Sequence, residues 1–270
     1  MKLVALLLAA LVLVAPAAGS SQYLLSRQQP DGGFAEPGGR SDPSLTAWAV
    51  LGLAAAGRPP QSAAQYLVGK PYPQATDLAL RILALHALGE DTRALLEQLE
   101  SLRRADGRIG TLVNSTIWGV LALRATGRPA GTSVRYLLRQ QRPSGGWSWY
   151  PRGLADSNDT AAAVQALRAG GVSARARPIR RALRYLRRLQ GRDGGFPLVP
   201  GRGSDAQSTA WAIQAFVAAR REPGRASFRY LASLRRSDGS YRYSRIYATT
   251  PVWVTSQVLP ALARRPFPLR

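Results

Sequence analysis

Cysteine is absent from this chain of 270 residues, and histidine occurs once, at His86. Without cysteine the chain has no disulfide framework, no thiolate nucleophile and no thiolate zinc site. His86 falls in the apolar stretch 78–88, where a histidine in the core or lining a cavity is more common than a metal ligand. We therefore expect neither a metal site nor a cofactor.

Acidic residues are scarce beside the basic ones, so that the net charge is +22. Lys2 and Lys70 are the only lysines, and arginine supplies nearly all of this charge. A genome that favours arginine codons would explain the excess, and so would attachment to an anionic lipid or an anionic envelope polymer. The sequence leaves both explanations open. Nucleic acid is not expected as a partner, because aromatic residues are not interleaved with the basic ones.

Residues 1–17 have the pattern of a signal peptide. Met1 and Lys2 precede an apolar run, residues 3–14, which is followed by the small residues Ala15, Pro16 and Ala17. This run is shorter than the roughly 20 apolar residues of a comfortable membrane span. We therefore predict a secreted or envelope-associated protein whose residues 18–270 form one domain. A retained N-terminal anchor is the alternative.

A short turn recurs along the chain. Its clearest copies are residues 30–34 (PDGGF), 143–147 (PSGGW) and 192–196 (RDGGF), with weaker copies at 105–109 and 237–241. The gap between residues 34 and 109 is about two periods long, which predicts a hidden unit whose turn lies near Tyr72. The chain is thus expected to contain six units.

Two kinds of helix alternate around these turns. The segments before them, such as 136–141 and 185–190, carry arginine on one face and predict amphipathic outer helices. The segments after them, such as 116–121 and 209–214, are small and apolar on all sides and predict buried inner helices. Six such pairs, without the polar end caps of an open solenoid, predict an all-α fold, an (α/α)6 toroid of six helix-pair repeats.

Residues 141–147 (QRPSGGW) match the Gln-x-x-x-Gly-x-Trp repeat of squalene and oxidosqualene cyclases, and residues 28–34 and 190–196 have the same pattern with Phe in place of Trp. On these motifs the chain resembles the prenyltransferase and squalene-cyclase repeat superfamily, whose members include terpenoid cyclase-like toroids. The zinc site of protein prenyltransferase β subunits contains a cysteine, which makes that chemistry unexpected here.

Residues 156–161 (DSNDTA) are similar to the Asp-x-Asp-Asp-Thr-Ala motif of class II terpene cyclases, in which the middle aspartic acid protonates the polyene. The middle position is Asn158 in this chain, and an amide has no proton of that acidity. Asp156 and Asp159 remain as catalytic candidates, while a helix cap is the other interpretation of Asp156. The same capping position is predicted for Asp42, Asp77 and Asp205. A glycosidase would need two carboxylates facing each other across a cleft, and the sequence offers no convincing pair.

Trp48, Trp118 and Trp211 each stand two residues after a threonine, so they should point the same way in the ring. The ligand-binding residues predicted around an apolar cavity are Trp48, Trp118, Trp147, Trp149, Trp211 and Asp159, with Trp147 and Trp149 on loops at its mouth. Such a cavity suits a hydrophobic small molecule, although tryptophans can also simply fill a core. The sequence favours a non-catalytic exported binding protein. The alternatives are a terpenoid cyclase-like or prenyltransferase-like enzyme with an atypical acid motif, and an envelope protein held by charge alone.

Overall fold

The computed structural model describes residues 18–269, so the signal peptide predicted at residues 1–17 lies outside the described residues. Twelve α-helices occupy the described part of the chain, and its only β-type pairings are isolated bridges at the turns. The all-α class is therefore confirmed. Within residues 18–269, no helix is both long and apolar enough to cross a bilayer.

The helices alternate between an outer and an inner wall. The outer helices are α1 (residues 18–25), α3 (Ala63–Val68), α5 (Arg93–Ser101), α7 (Gly131–Gln140), α9 (Arg177–Leu189) and α11 (Arg225–Leu234). The inner helices are α2 (Pro43–Ala55), α4 (Ala75–Ala87), α6 (Val113–Ala125), α8 (Ser157–Ala169), α10 (Ala206–Ala218) and α12 (Pro251–Leu262). The hidden second unit is present, with its turn between α3 and α4.

Apolar residues decide which helices lie inside. On α9, Ile179 and Leu186 are buried against the inner wall, whereas Arg180, Arg184 and Arg187 are exposed. Inner helices such as α2 and α6 are buried along almost their whole length.

His86 was expected in the core or in the lining of a cavity, and this expectation is wrong. The side chain is exposed, because the buried stretch of α4 ends at Leu85.

The ring closes on itself. Each inner helix packs against the next one, and α12 packs against α2. The Glu36 carboxylate, in the first unit, accepts hydrogen bonds from the backbone N–H groups of Val252 and Trp253 at 2.9 and 2.8 Å. In the outer wall, Ser20 Oγ donates to the carbonyl oxygen of Gly239 at 2.7 Å. The toroid predicted from the repeats is confirmed, and its first and last units are joined.

Each well-formed turn is fastened to its inner helix by a threonine. The backbone N–H of Trp147 donates to Thr160 Oγ1 at 2.9 Å. The equivalent pairs are Phe34 with Thr46, Ile109 with Thr116, Phe196 with Thr209, and Tyr241 with Thr255. Gly239 has a φ of 89°, and a side chain there would strike the backbone of α1. The turns thus set the angle of each helix pair and bring all N-termini of the inner helices to one end of the ring.

Candidate functional site

A cavity of about 560 Å³ opens at the end of the ring where the inner helices begin. Residues four apart on a helix lie on the same face, and each inner helix contributes two of them, near its first and second turns. The upper ring consists of Ser44, Thr76, Asn114, Asn158, Gln207 and Trp253. The lower ring consists of Trp48, Leu80, Trp118, Ala162, Trp211 and Gln257. The upper ring is mostly polar, and the lower ring is mostly apolar and fully buried.

Three tryptophans of the lower ring form the floor. The ring centroids of Trp48, Trp118 and Trp211 lie 5.2 to 5.7 Å apart, and their planes meet at 85° to 87°. Such edge-to-face contacts are favourable for aromatic rings. Phe267, in the C-terminal tail, packs within 6.0 to 6.3 Å of all three from the far side. The tryptophans therefore fill the centre and also present an apolar surface to the cavity.

The loop before α8 forms one side of the mouth, and Leu198 and Val199 of the loop before α10 also line the cavity. Trp149, Tyr150 and Leu154 line the cavity and are largely exposed to solvent, Leu154 at 90%. The prediction for Trp147 needs correction, because its side chain is fully buried away from the cavity lining. Its indole N–H donates to the carbonyl oxygen of Leu137 at 2.7 Å, so this tryptophan joins the turn to outer helix α7.

Asp156 and Asp159 lie together in the cavity wall. The Asp156 carboxylate caps α8 by accepting from the backbone N–H of Asp159 at 2.8 Å, and the two carboxyl groups also hydrogen-bond each other. Burial raises the pKa of both carboxyls well above the usual range. The pair therefore holds its protons more tightly than free aspartic acids do.

A chain of hydrogen bonds extends from this pair across two helices. Asn114 Nδ2 donates to Asp159 Oδ1 at 2.7 Å, and Thr76 Oγ1 donates to Asn114 Oδ1 at 3.1 Å. Asp159 is thus fixed by α6 and α4 as well as by its own helix. The sequence pattern did not identify Thr76 or Asn114 as site residues, although both occupy the second position of an inner helix and could have been found by aligning the six units.

Asp77 does not cap α4 as predicted, since Gln74 holds the cap position and Asp77 lies inside the first turn. Asp77 lines the cavity instead. The hydroxyl group of Ser44, on the neighbouring inner helix α2, donates to the Asp77 carboxylate at 3.4 Å. Burial raises the pKa of Asp77. Asp42 and Asp205 do cap their helices, because their carboxylates accept from the backbone N–H groups of Leu45 and Ser208. Asp77 is therefore a third carboxyl group of the site.

The charge of the cavity differs from that of the whole chain. Asp77, Asp156 and Asp159 are in its wall, and none of the described residues that line it is Arg, Lys or His. Among residues 18–269, no group of three His, Cys, Asp or Glu side chains comes together as metal ligands would. The site offers an aromatic floor, amide and hydroxyl groups at middle depth, and carboxyl groups on one side.

Two family models match the chain. The squalene-hopene cyclase C-terminal domain matches residues 111–255, more than half of the chain, and the prenyltransferase alpha-alpha toroid domain matches residues 5–102. No curated protein matches the chain significantly.

Solved structures share the fold at low sequence identity. A protein from Actinoplanes has a TM-score of 0.72 at 22% identity, with 93% of this chain and 99% of that one covered. A variant of the type II terpene cyclase MstE from Scytonema, in complex with geranylgeranyl dihydroxybenzoate, has a TM-score of 0.71 at 16% identity, covering 93% and 96%. A glycosidase in complex with glucose has a TM-score of 0.65 at 12% identity, with the same coverage. These likenesses show the toroid fold.

Proposed function

Because the chain belongs to the squalene-hopene cyclase C-terminal domain family, we propose that its ring binds a hydrophobic small molecule of the isoprenoid type and releases it unchanged. The observation that carries this proposal is the cavity of about 560 Å³ above the Trp48–Trp118–Trp211 floor. Cavities of roughly 300–1,000 Å³ with apolar walls and a few placed polar groups are typical of small-molecule sites. The Scytonema cyclase in complex with geranylgeranyl dihydroxybenzoate supports a prenyl-type ligand.

Two features argue against cyclisation. Protonation of an alkene requires a strong acid, and Asn158, which stands at the middle position of the aspartate motif, has no acidic proton. The carboxyl pair beside it is a weaker acid than a free aspartic acid, because burial raises both pKa values. The competing function is an isoprenoid cyclase or transferase that uses this pair as its acid. It predicts turnover of a polyene or prenyl diphosphate that is lost in Asp159→Ala.

Tryptophan fluorescence tests the binding proposal, because five of the six tryptophans line the cavity and Trp147 does not. Residues 18–270 are titrated with geranylgeraniol below its aggregation concentration, and we expect saturable quenching with micromolar affinity or better. Mass spectrometry of the recovered ligand then distinguishes binding from conversion. Recovery of a cyclised product would overturn the non-catalytic proposal.

A matched pair of variants assigns the binding to the cavity. Ala162→Phe places an aromatic side chain in the lower part of the cavity and should abolish the quenching of tryptophan fluorescence by the ligand. Ala87→Phe adds the same bulk at the far end of α4, where Ala87 is half-buried, and should leave the affinity unchanged. Circular dichroism is used to check that both variants are folded. Equal affinities for the two variants would contradict a cavity site.

We also propose that the protein is exported and that its basic outer wall holds it against an anionic surface of the cell envelope. The support is the signal-peptide pattern at residues 1–17 and the exposed arginines of α9. Binding to vesicles that contain anionic lipid should weaken steeply as salt is raised. Replacement of Arg180, Arg184 and Arg187 by Gln should weaken it at low salt. Binding that is insensitive to salt would contradict this attachment.

A further inference from the structure

The ionisable side chains that line the cavity are acidic, whereas those of the whole chain are mostly basic. The chain carries a net charge of +22, yet the described residues that line the cavity include three aspartates and no basic side chain. All of the arginines in the described part of the chain therefore lie elsewhere. Within a partly buried site, neighbouring charges act over a few ångströms at low dielectric, whereas the distant surface charge is screened by salt. The local carboxyl groups consequently determine which ligands the cavity accepts.

The three carboxyl groups differ in how much hydrogen bonding they already have. Asp156 caps α8 and bonds Asp159, which in turn accepts from Asn114 at 2.7 Å. Asp77 is half-buried, and its contact with Ser44 Oγ is long, at 3.4 Å. A carboxylate accepts up to about four hydrogen bonds. Asp77 is therefore the carboxyl group with the most capacity left to accept a hydrogen bond from a ligand.

We infer that the ligand has a head group that carries no negative charge and donates a hydrogen bond, as a prenyl alcohol or a prenyl amine does, and that Asp77 selects it. This inference rests on the proposed function of the cavity. The hydrocarbon body lies against the tryptophan floor, and the head group lies among the polar residues of the upper ring. A prenyl diphosphate is excluded, because its phosphates would lie beside three carboxyl groups with no basic side chain to pair with them.

Three probes with the same C20 chain test this inference. Geranylgeraniol, geranylgeranylamine and geranylgeranyl diphosphate are titrated against residues 18–270 by tryptophan fluorescence, each in competition with the others. We expect the alcohol and the amine to bind at least tenfold more tightly than the diphosphate. Diphosphate binding to the basic exterior is distinguished from binding in the cavity by two controls. Exterior binding should be unchanged in Ala162→Phe and should be lost at high salt.

Asp77→Asn tests the selecting residue, because it keeps the size of the side chain and removes its charge. We expect the affinity for the amine to fall at least fivefold and the ratio of alcohol to diphosphate affinity to shrink by a similar factor. Glu97→Gln makes the same charge change on the exposed face of α5 and should leave every ratio unchanged. Equal effects of the two substitutions would exclude a direct role for Asp77.

The outcomes separate this inference from the function on which it rests. Binding of the alcohol and the amine with rejection of the diphosphate supports both. Binding of the diphosphate in the cavity with equal or higher affinity overturns the inference and leaves hydrophobic ligand binding intact. If none of the three probes binds in the cavity and quenches the tryptophan fluorescence of the wild-type protein, the proposed function is overturned and, with it, the inference.

Discussion

The side-chain amide of Asn114 donates a hydrogen bond of 2.7 Å to the carboxylate of Asp159, although the two residues begin different inner helices. Asp159 is 4% exposed and is also bonded to the carboxyl group of Asp156. A buried carboxyl group is stable only when its polar atoms have partners. The amide thus orients the carboxyl pair without supplying a charge that would neutralise it.

This arrangement predicts a fold that loses stability as pH rises. The folded-state pKa values of Asp156 and Asp159 are raised above their unfolded values, so the folded protein binds more protons above about pH 4. The stabilisation is complete below that pH and is lost on going to alkaline pH. Asp156→Asn keeps the helix cap and removes a carboxyl group. It should raise the free energy of unfolding at pH 8 by about 1 kcal/mol or more, measured by urea denaturation.

The control for this prediction is Asp42→Asn. Asp42 caps α2 through the same bond to a backbone N–H, but it is exposed. Its substitution should change stability by similar small amounts at pH 4 and pH 8. A gain for Asp156→Asn that is equally large at both pH values would show that the raised pKa of the buried pair is not the cause.

The floor and the mouth should respond differently to truncation. Trp118 is 4% exposed and packs edge-to-face on two other tryptophans, so Trp118→Ala should destabilise the fold by about 3–5 kcal/mol. Trp149 is 47% exposed, and Trp149→Ala should change stability by less than about 1 kcal/mol while weakening ligand binding. Denaturation curves and fluorescence titrations measure the two effects. A stable Trp118→Ala variant would mean that the floor is loosely packed.

The repeated bond between a turn and a threonine should be measurable in a single unit. Thr209→Val leaves the buried backbone N–H of Phe196 without an acceptor, which should destabilise the fold by about 1–3 kcal/mol. Thr209→Ser retains a hydroxyl group at the same place and should recover most of this loss. Thr126→Val removes a hydroxyl that bonds only within its own helix end, and it serves as the control. No difference between valine and serine at position 209 would contradict this role.

The C-terminal tail should act as the far-side support of the floor. The backbone N–H of Phe267 donates to Gln165 Oε1 at 2.7 Å, which holds its ring against the tryptophans. Phe267→Ala should destabilise the fold by about 3–5 kcal/mol and shift the preference toward longer prenyl alcohols, because the floor gains room. Denaturation and a chain-length series of prenyl alcohols measure these effects. An unchanged length preference would show that the tryptophans alone define the depth.

The sequence predicted the fold better than it predicted the site. Turn spacing revealed six units because every unit uses the same local chemistry, and even the second unit, where Leu78 stands in place of the threonine, was located from the period. How deeply a side chain is buried and where it points depend on the path of its loop, and the loops do not repeat in sequence from one unit to the next. Trp147 is therefore buried beside outer helix α7. Trp253 lines the cavity, although the sequence motifs did not mark it as a site residue.

The junction between Ser20 and Gly239 has a consequence for how the molecule folds. These residues are 219 positions apart in the chain, and together with Glu36 and the start of α12 they join its two ends. An open stack of repeats can lose a terminal unit and remain folded, whereas removal of a unit here would break two interfaces at once. Closing contacts of such long sequence separation also costs chain entropy before they stabilise the fold. We expect the emerging polypeptide to stay incompletely folded until nearly all of it has been synthesised.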